Sequence, residues 1–146
     1  MSATRAAATL LALTLASNAA AQPFDWDELG EAFCARSVAG DLAGLQPLLS
    51  PSLVEEIAFA FGRAQAAPPP TLFQSYANPA AVCTAKTRNV ALIEITRSGP
   101  GGAAPSWTEY LVVGPEADGT TRIDDVLFAT RRSDTLRARL KAIAGQ

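Results

Sequence analysis

The adjacent carboxylates Asp124 and Asp125 include the candidate for acid–base chemistry in this sequence. They fall in a β-rich stretch, where neighbouring side chains point to opposite faces, so the pair predicts no metal chelate. On a regular strand Asp125 shares the face of Ile123 and Leu127. If that face is concave, Asp125 is a buried carboxylate able to act as a general acid or base. Otherwise it pairs with an arginine or caps a neighbouring loop.

The composition and the absence of known sequence motifs exclude several other kinds of catalytic or metal-binding site. The chain has no histidine, which excludes His-based triads and His-ligated zinc. It contains no G-x-S-x-G, P-loop, EF-hand or H-E-x-x-H motif. The segment 99–102 has the glycines of a phosphate-binding loop but neither the lysine nor the helix that follows one, so it reads as a flexible hairpin loop. We therefore predict neither a metal nor a cofactor.

Large amphipathic side chains are the candidates for binding. Trp107 and Tyr110 are an odd number of residues apart, so on a regular strand one ring faces inward and the other outward. The outward ring can contact a partner or ligand, and Arg97 joins the two rings as a predicted exposed binding residue. The alternative is that the rings belong to the core.

The elements that position these residues begin with helices. The 146 residues are 49% hydrophobic and 18% charged, which is typical of one small globular domain. The first helix has apolar residues at intervals of three and four, starts with a capping-box-like Asp25 and Glu28, and ends at Gly40. Asp41 caps a short second helix that a proline shortens, and Ser50 caps a third that runs to about Gln65.

Four stretches rich in β-branched and aromatic residues follow, separated by turns short enough for an antiparallel meander. Ser133 or Asp134 then caps a short C-terminal helix. The predicted class is α+β, with N-terminal helices packed on a curved antiparallel sheet of about four strands. The predicted strands are Val82–Thr87, Val90–Arg97, Trp107–Val113 and Thr121–Ala129.

The order of three helices and a meander closed by the stretch 121–128 resembles small exported proteins with a cystatin-like or nuclear-transport-factor-2-like cone, many of them domains of unknown function. The resemblance implies a pocket between the curved sheet and the helices. Enzymatic members of this class resemble ketosteroid isomerase, in which a carboxylate base works with a tyrosine and a protonated aspartate. The matching residue types here are Asp124, Asp125 and Tyr110, with Asp125 and Tyr110 carrying the catalysis in this alternative.

Two features indicate export. Residues 1–21 have one cation, an apolar stretch of 11 residues and a small-x-small ending, which predicts a signal peptide cleaved between Ala21 and Gln22. The two cysteines, Cys34 and Cys83, remain in the mature chain and are predicted to pair in an oxidising compartment. Closing this loop stabilises the fold by up to about 4 kcal/mol. We expect a single exported domain over 22–146, periplasmic or secreted.

Charge is unevenly distributed along the mature chain. Residues 22–60 carry seven acids against one base, whereas residues 131–146 carry five bases against one acid. In one interpretation, the acidic residues of the N-terminal part and the basic residues of the C-terminal part attract each other. In the other, Arg137 and Lys141 form part of a basic patch that binds an anionic partner. The net charge of the mature chain is −3, which favours no nucleic-acid partner, and no later apolar run is long enough to span a membrane.

These observations favour a non-enzymatic exported binding module that recognises a protein or small ligand through the sheet face and its loops, with Trp107, Tyr110 and Arg97 as contacts. The alternative is a small isomerase- or hydratase-like enzyme that uses Asp125 and Tyr110. No motif identifies the ligand, the partner or an oligomeric state.

Overall fold

The chain folds as helices first and a four-stranded antiparallel sheet second, in a computed structural model that describes residues 25–145. This confirms the predicted α+β order; the predicted signal peptide lies outside the described residues. None of the helices in that part of the chain is long and apolar enough to cross a membrane. The elements are α1 (Asp27–Val38), α2 (Leu42–Leu45), α3 (Pro51–Ala64), β1 (Val82–Asn89), β2 (Leu92–Ser98), β3 (Ser106–Pro115), β4 (Thr121–Leu127) and α4 (Leu136–Ala144).

The starts of α2 and α3 are set by the predicted caps. The Asp41 carboxylate accepts the N–H of Gly44, and α2 then tightens into a 3₁₀ turn, Gln46–Leu48, at Pro47. The Ser50 hydroxyl accepts the N–H of Leu53, with a proline in the first helical position. Local side-chain hydrogen bonds therefore decide where both helices begin.

The predicted caps of α1 and α4 were wrong. Trp26 occupies the N-cap position of α1 and makes no side-chain capping bond, although the Asp25 carboxylate, one residue earlier, accepts the N–H of Asp27 at 3.0 Å. In α4 the cap is Thr135, whose hydroxyl accepts the N–H of Ala138. The Asp134 carboxylate instead accepts hydrogen bonds from Arg139 and Thr130.

The sheet has strand order β1-β2-β3-β4, the predicted meander. Its inner face packs against the helices and carries the core, whose members alternate along β2 and β3. The fully buried apolar residues include Phe33, Leu45, Leu53, Ile93, Ile95, Leu111, Ile123, Val126 and Leu136. One face of the sheet is thus buried in the hydrophobic core.

The predicted disulfide is present and ties α1 to β1. Cys34 and Cys83 are bonded with their Cα atoms 5.3 Å apart. One turn earlier, Gly30 lies so close to the sheet that an added Cβ would come within 2.5 Å of the Ala85 Cβ. The helix therefore lies directly against the inner side of β1.

The two edges of the sheet differ. At β4, the Ser50 N–H donates to the Ile123 carbonyl at 2.8 Å, and the Phe128 N–H donates to the Asp134 carbonyl at 2.9 Å. The Arg137 Nε donates to the Asp124 carbonyl at 2.9 Å. At β1 the Asp27 carboxylate accepts the N–H of Thr87, and no other segment between residues 25 and 145 adds a backbone ladder there. The β4 edge is thus covered by backbone partners, whereas the β1 edge is covered only at Thr87, by the start of α1.

Candidate functional site

Arg97 lies entirely inside the protein, so its predicted exposure was wrong. Its exposed fraction is 0%, as is that of Glu109. The Arg97 Nε donates to Glu109 Oε2 at 2.6 Å, and its guanidinium lies 5.6 Å from the centroid of the Phe33 ring. Arg97 follows Ile93 and Ile95 at intervals of two, which places it on the inner face of β2. Arg97 therefore forms a buried structural ion pair with Glu109 and is not available for contact at the surface.

Glu109, which the sequence analysis did not single out, holds a loop against the sheet. Its Oε1 accepts hydrogen bonds from the N–H and the hydroxyl of Ser75 and from the Trp107 Nε1. Arg97 adds a bond from its Nη2 to the Phe73 carbonyl at 3.0 Å. Residues 72–75 are buried as a result and fill the space over this end of the inner face.

The opposed orientation predicted for Trp107 and Tyr110 is confirmed. Trp107 is half-buried on the inner side, hydrogen-bonded to Glu109, with its ring 5.1 Å from that of Tyr76 in an edge-to-face arrangement. Tyr110 has the opposite parity and lies on the outer face, paired across the ladders with Glu94 and Leu127. Tyr110 is therefore the outward ring.

A β-bulge changes the expected position of Asp125. Val112 pairs with Asp125 whereas Val113 pairs with Ile123, so Asp124 is the extra residue. Asp125 thus shares a face with Leu127 but not with Ile123, contrary to the expectation from regular alternation. Its carboxylate accepts the N–H of Arg137 at 3.1 Å, in the first turn of α4. The isomerase alternative required an inward carboxylate, and Asp125 instead caps a neighbouring segment.

Asp124 joins the two oppositely charged ends of the chain. It accepts hydrogen bonds from the Ser50 hydroxyl and from Arg137 Nη2, both at 2.7 Å, and Arg137 also pairs with Glu56 at 2.8 Å. Burial raises the pKa of Asp124, but the Ser50 hydrogen bond and the Arg137 charge outweigh it and leave that pKa below its ordinary value. The same carboxylates outweigh the effect of burial on Arg137 and raise its pKa. This supports the interpretation in which the ends attract each other.

The outer face of the sheet carries a half-buried apolar strip. Leu92 opposes Val112, and Tyr110 opposes Leu127, across neighbouring ladders. None of these four side chains joins the core, which is built on the other face. Charged groups border the strip, including Glu94, which forms an ion pair with Arg88 at 2.9 Å. The strip has the apolar centre and charged border found in protein interfaces.

A second surface lies beside the β1 edge. A groove of about 560 Å³ runs between α1 and β1 and is lined from the helix by Glu31, Ala35 and Val38. The strand side is formed by residues 81–85. Val38 is 37% exposed there. Strand alternation alone could not reveal this groove, because it depends on where α1 lies relative to the strand.

A third surface is an apolar groove of about 280 Å³ between the 3₁₀ turn, α3 and the proline-containing connection. Nine of its ten lining residues are apolar, with Gln46 the exception. Leu72 and Phe73 close its inner end, and Ile57 lines one wall. Such a groove accepts an apolar group of a ligand or partner.

Comparisons with protein-family models, with curated proteins and with solved structures find no significant match for this chain. The cystatin-like or nuclear-transport-factor-2-like resemblance therefore stays a prediction. Among residues 25–145, no group of His, Cys, Asp or Glu side chains is arranged to hold a metal ion.

Proposed function

We propose that the protein is a non-enzymatic exported binding module that recognises a protein partner through the outer face of its sheet. The observation that carries the proposal is the strip around Tyr110, which lies outside the core on the sheet face opposite the helices. A tyrosine ring offers a large contact area at low entropic cost and a hydroxyl for hydrogen bonding. It is the central anchor of the proposed interface.

The proposal includes the location of the protein, which is periplasmic or secreted. A disulfide between α1 and β1 is consistent with an oxidising environment, as expected for a periplasmic or secreted protein. The predicted cleavage after Ala21 and the resemblance to exported cone-like domains point the same way.

Site-specific photocrosslinking tests the proposal. A photoreactive phenylalanine replaces Tyr110 in the exported protein, and the matched control places it at Phe59, which is 52% exposed on α3. We expect position 110 to form a defined crosslinked product with another protein, lost when excess unmodified protein competes. Identical products at both positions, or no competition, would argue against a specific outer-face interface.

A small apolar ligand is a second candidate, favoured by the groove between α3 and the 3₁₀ turn. Native mass spectrometry of gently purified protein tests it, with Ala58→Trp filling the groove mouth. We expect an adduct of defined mass on the unmodified protein that is absent from the variant. An adduct retained by Ala58→Trp would place the ligand elsewhere.

A further inference from the structure

The end of the sheet at which β1 begins and β4 ends carries three loops with few charged residues. The loop that leads into β1, residues 74–81, and the loop between β2 and β3, residues 99–105, contain no charged side chain. The loop after β4, residues 128–135, contains Arg131, Arg132 and Asp134. The loops at this end of the sheet therefore have a positive net charge, which lies in one turn, residues 130–134.

This basic turn is held in place by Asp134. The Asp134 N–H donates to the Arg131 carbonyl at 3.1 Å and closes the turn. The Asp134 carboxylate accepts two hydrogen bonds from Arg139, both at 2.7 Å, and one from Thr130. The bonds from Arg139 outweigh the effect of burial and, with the charge of Arg131, leave the pKa of Asp134 below its ordinary value. The one carboxylate of the basic turn is thus ionised and already bound inside the protein.

The two arginines of the basic turn have no partner of their own. Arg131 and Arg132 are exposed, and neither guanidinium forms an ion pair or a hydrogen bond with another residue between 25 and 145. Asp134 supplies one negative charge against the three guanidinium groups of Arg131, Arg132 and Arg139. The basic turn and Arg139 together therefore carry an excess of two positive charges.

Carboxylates on the neighbouring strands are held by other groups. Asp124 pairs with Arg137 at 2.7 Å, and Asp125 accepts the Arg137 N–H at 3.1 Å. Glu109 is fully buried in its ion pair with Arg97. None of these bonds involves an arginine of the basic turn, so its positive charge is not neutralised by them.

Arg139 also joins the basic turn to the loop that carries Tyr76. Its Nη2 donates to the Ser75 carbonyl at 3.0 Å, and the Ala129 N–H donates to the Ser75 hydroxyl at 2.8 Å. Tyr76 follows directly, is 46% exposed and packs edge-to-face on Trp107. These bonds therefore fix an exposed aromatic ring and the basic turn at the same end of the molecule.

The side chains at this end match a protein segment that combines acidic and apolar residues. A guanidinium binds a carboxylate through two parallel hydrogen bonds, and an exposed aromatic ring contacts an apolar side chain. Two unpaired arginines are few for binding a lipid surface or a nucleic acid, which depends on many simultaneous phosphate contacts.

We propose that the basic turn and Tyr76 bind an acidic segment of a partner protein. Two carboxylates of that segment pair with Arg131 and Arg132, and a neighbouring apolar side chain packs on Tyr76. This contact is separate from the outer-face interface around Tyr110 and does not depend on it.

The probe is a glycine-flanked, acetylated peptide amide in which two glutamates precede a leucine, titrated into the ¹⁵N-labelled protein. We expect saturable amide shifts in residues 75–77 and 129–134. A control peptide with glutamines in place of the glutamates should cause none of these shifts. Equal shifts with both peptides, or shifts outside these two segments only, would overturn the proposal.

Variants of the two arginines test whether binding is specific. Arg131→Gln/Arg132→Gln should weaken peptide binding by about tenfold. The control Arg63→Gln/Lys141→Gln removes the same charge at exposed positions of α3 and α4 and should leave binding unchanged. An equal loss in the control would reduce the effect to general attraction and overturn the site.

Two further variants test the chemistry of the contact. Arg131→Lys/Arg132→Lys keeps both charges but loses the planar guanidinium groups, so it should also weaken binding. Full binding by this variant would overturn recognition through paired hydrogen bonds. Tyr76→Ala should weaken binding, whereas Phe59→Ala, at another exposed aromatic residue, should not. Equal effects of these two substitutions would remove Tyr76 from the proposed contact.

The remaining outcomes identify a different occupant or separate the two proposals. Shifts of the same amides with phosphatidylglycerol vesicles, but not with the peptide, would replace the acidic segment with a membrane surface. Shifts on raising the protein concentration alone would replace it with a second copy of the chain. Crosslinking at position 110 without peptide binding would overturn this proposal and keep the outer-face interface, and the reverse result would do the opposite.

Discussion

Removing the charge of Glu109 should sharply destabilise the protein. In Glu109→Gln the side-chain shape is retained, but the carboxylate that faces Arg97 Nε at 2.6 Å is lost. Both side chains are 0% exposed, so water cannot solvate the guanidinium that remains. Breaking one partner of a buried ion pair costs about 3–5 kcal/mol. The amide also offers a poorer acceptor to Ser75 and Trp107.

Equilibrium urea unfolding of the disulfide-intact protein measures this loss. With an m-value of about 2 kcal/mol/M, the expected fall in the midpoint is about 1.5–2.5 M. Glu28→Gln, on the exposed side of α1, is the matched control and should change stability by less than about 0.5 kcal/mol.

The double variant Arg97→Met/Glu109→Gln, compared with the two single variants, tests the reason for the loss. It removes both charges but keeps an amide oxygen that can accept hydrogen bonds from Ser75 and Trp107, so it should recover a large part of the stability that Glu109→Gln loses. A single variant that loses less than about 1 kcal/mol would refute the reasoning. So would a double variant in which the two losses simply add, because an uncompensated buried charge would then not be the cause.

Two further substitutions probe packing and titration. Gly30→Ala should lower the free energy of unfolding by about 1–3 kcal/mol in thermal unfolding experiments, because its Cβ would meet the Ala85 Cβ at 2.5 Å. The control Gly62→Ala has open space around it and should instead stabilise the protein by about 0.5–1 kcal/mol. Equal effects of the two substitutions would contradict the close approach at Gly30. The pKa of Asp124 is lower in the folded state than in the unfolded chain. Its ion pair therefore stabilises the protein fully at pH values above the ordinary carboxyl pKa of about 4, and this stabilisation is lost as the pH falls through the folded-state pKa. Asp124→Asn should therefore be less stable than the unmodified protein at neutral pH, with a difference that closes in acid unfolding experiments; a difference independent of pH would refute the assignment.

The helices could be predicted from the sequence where hydrogen bonds between residues close in the chain determine their ends. The cap of α3 is a hydrogen bond between Ser50 and Leu53, three residues apart, and it is readable from the sequence. The burial of Arg97 was also readable, since it continues the inward alternation of Ile93 and Ile95. An arginine on an inner face needs a buried carboxylate partner, and the one that Arg97 finds, Glu109, lies on the neighbouring strand.

Other features depend on contacts that sequence periodicity does not contain. The bulge at Asp124 inserts one residue into the β4 register, and regular alternation gives no sign of it. The β4 edge is covered in part by Ser50, whose N–H donates to the carbonyl of Ile123 although the two residues are far apart in the sequence. The Glu109 cluster likewise needs Ser75 and Trp107 to converge from a loop and a strand.

The contrast between the sheet edges limits how copies of this chain can polymerise. Growth of a fibre by strand addition requires every molecule to offer two edges, one for each neighbour. Here β4 is occupied by Ser50, Asp134 and Arg137, so the described domain offers β1 alone. Two copies joined at β1 would each use up their free edge and form a closed pair. In its native state the described domain therefore cannot extend a filament by edge-to-edge strand addition, and a higher concentration favours at most a closed pair by this route.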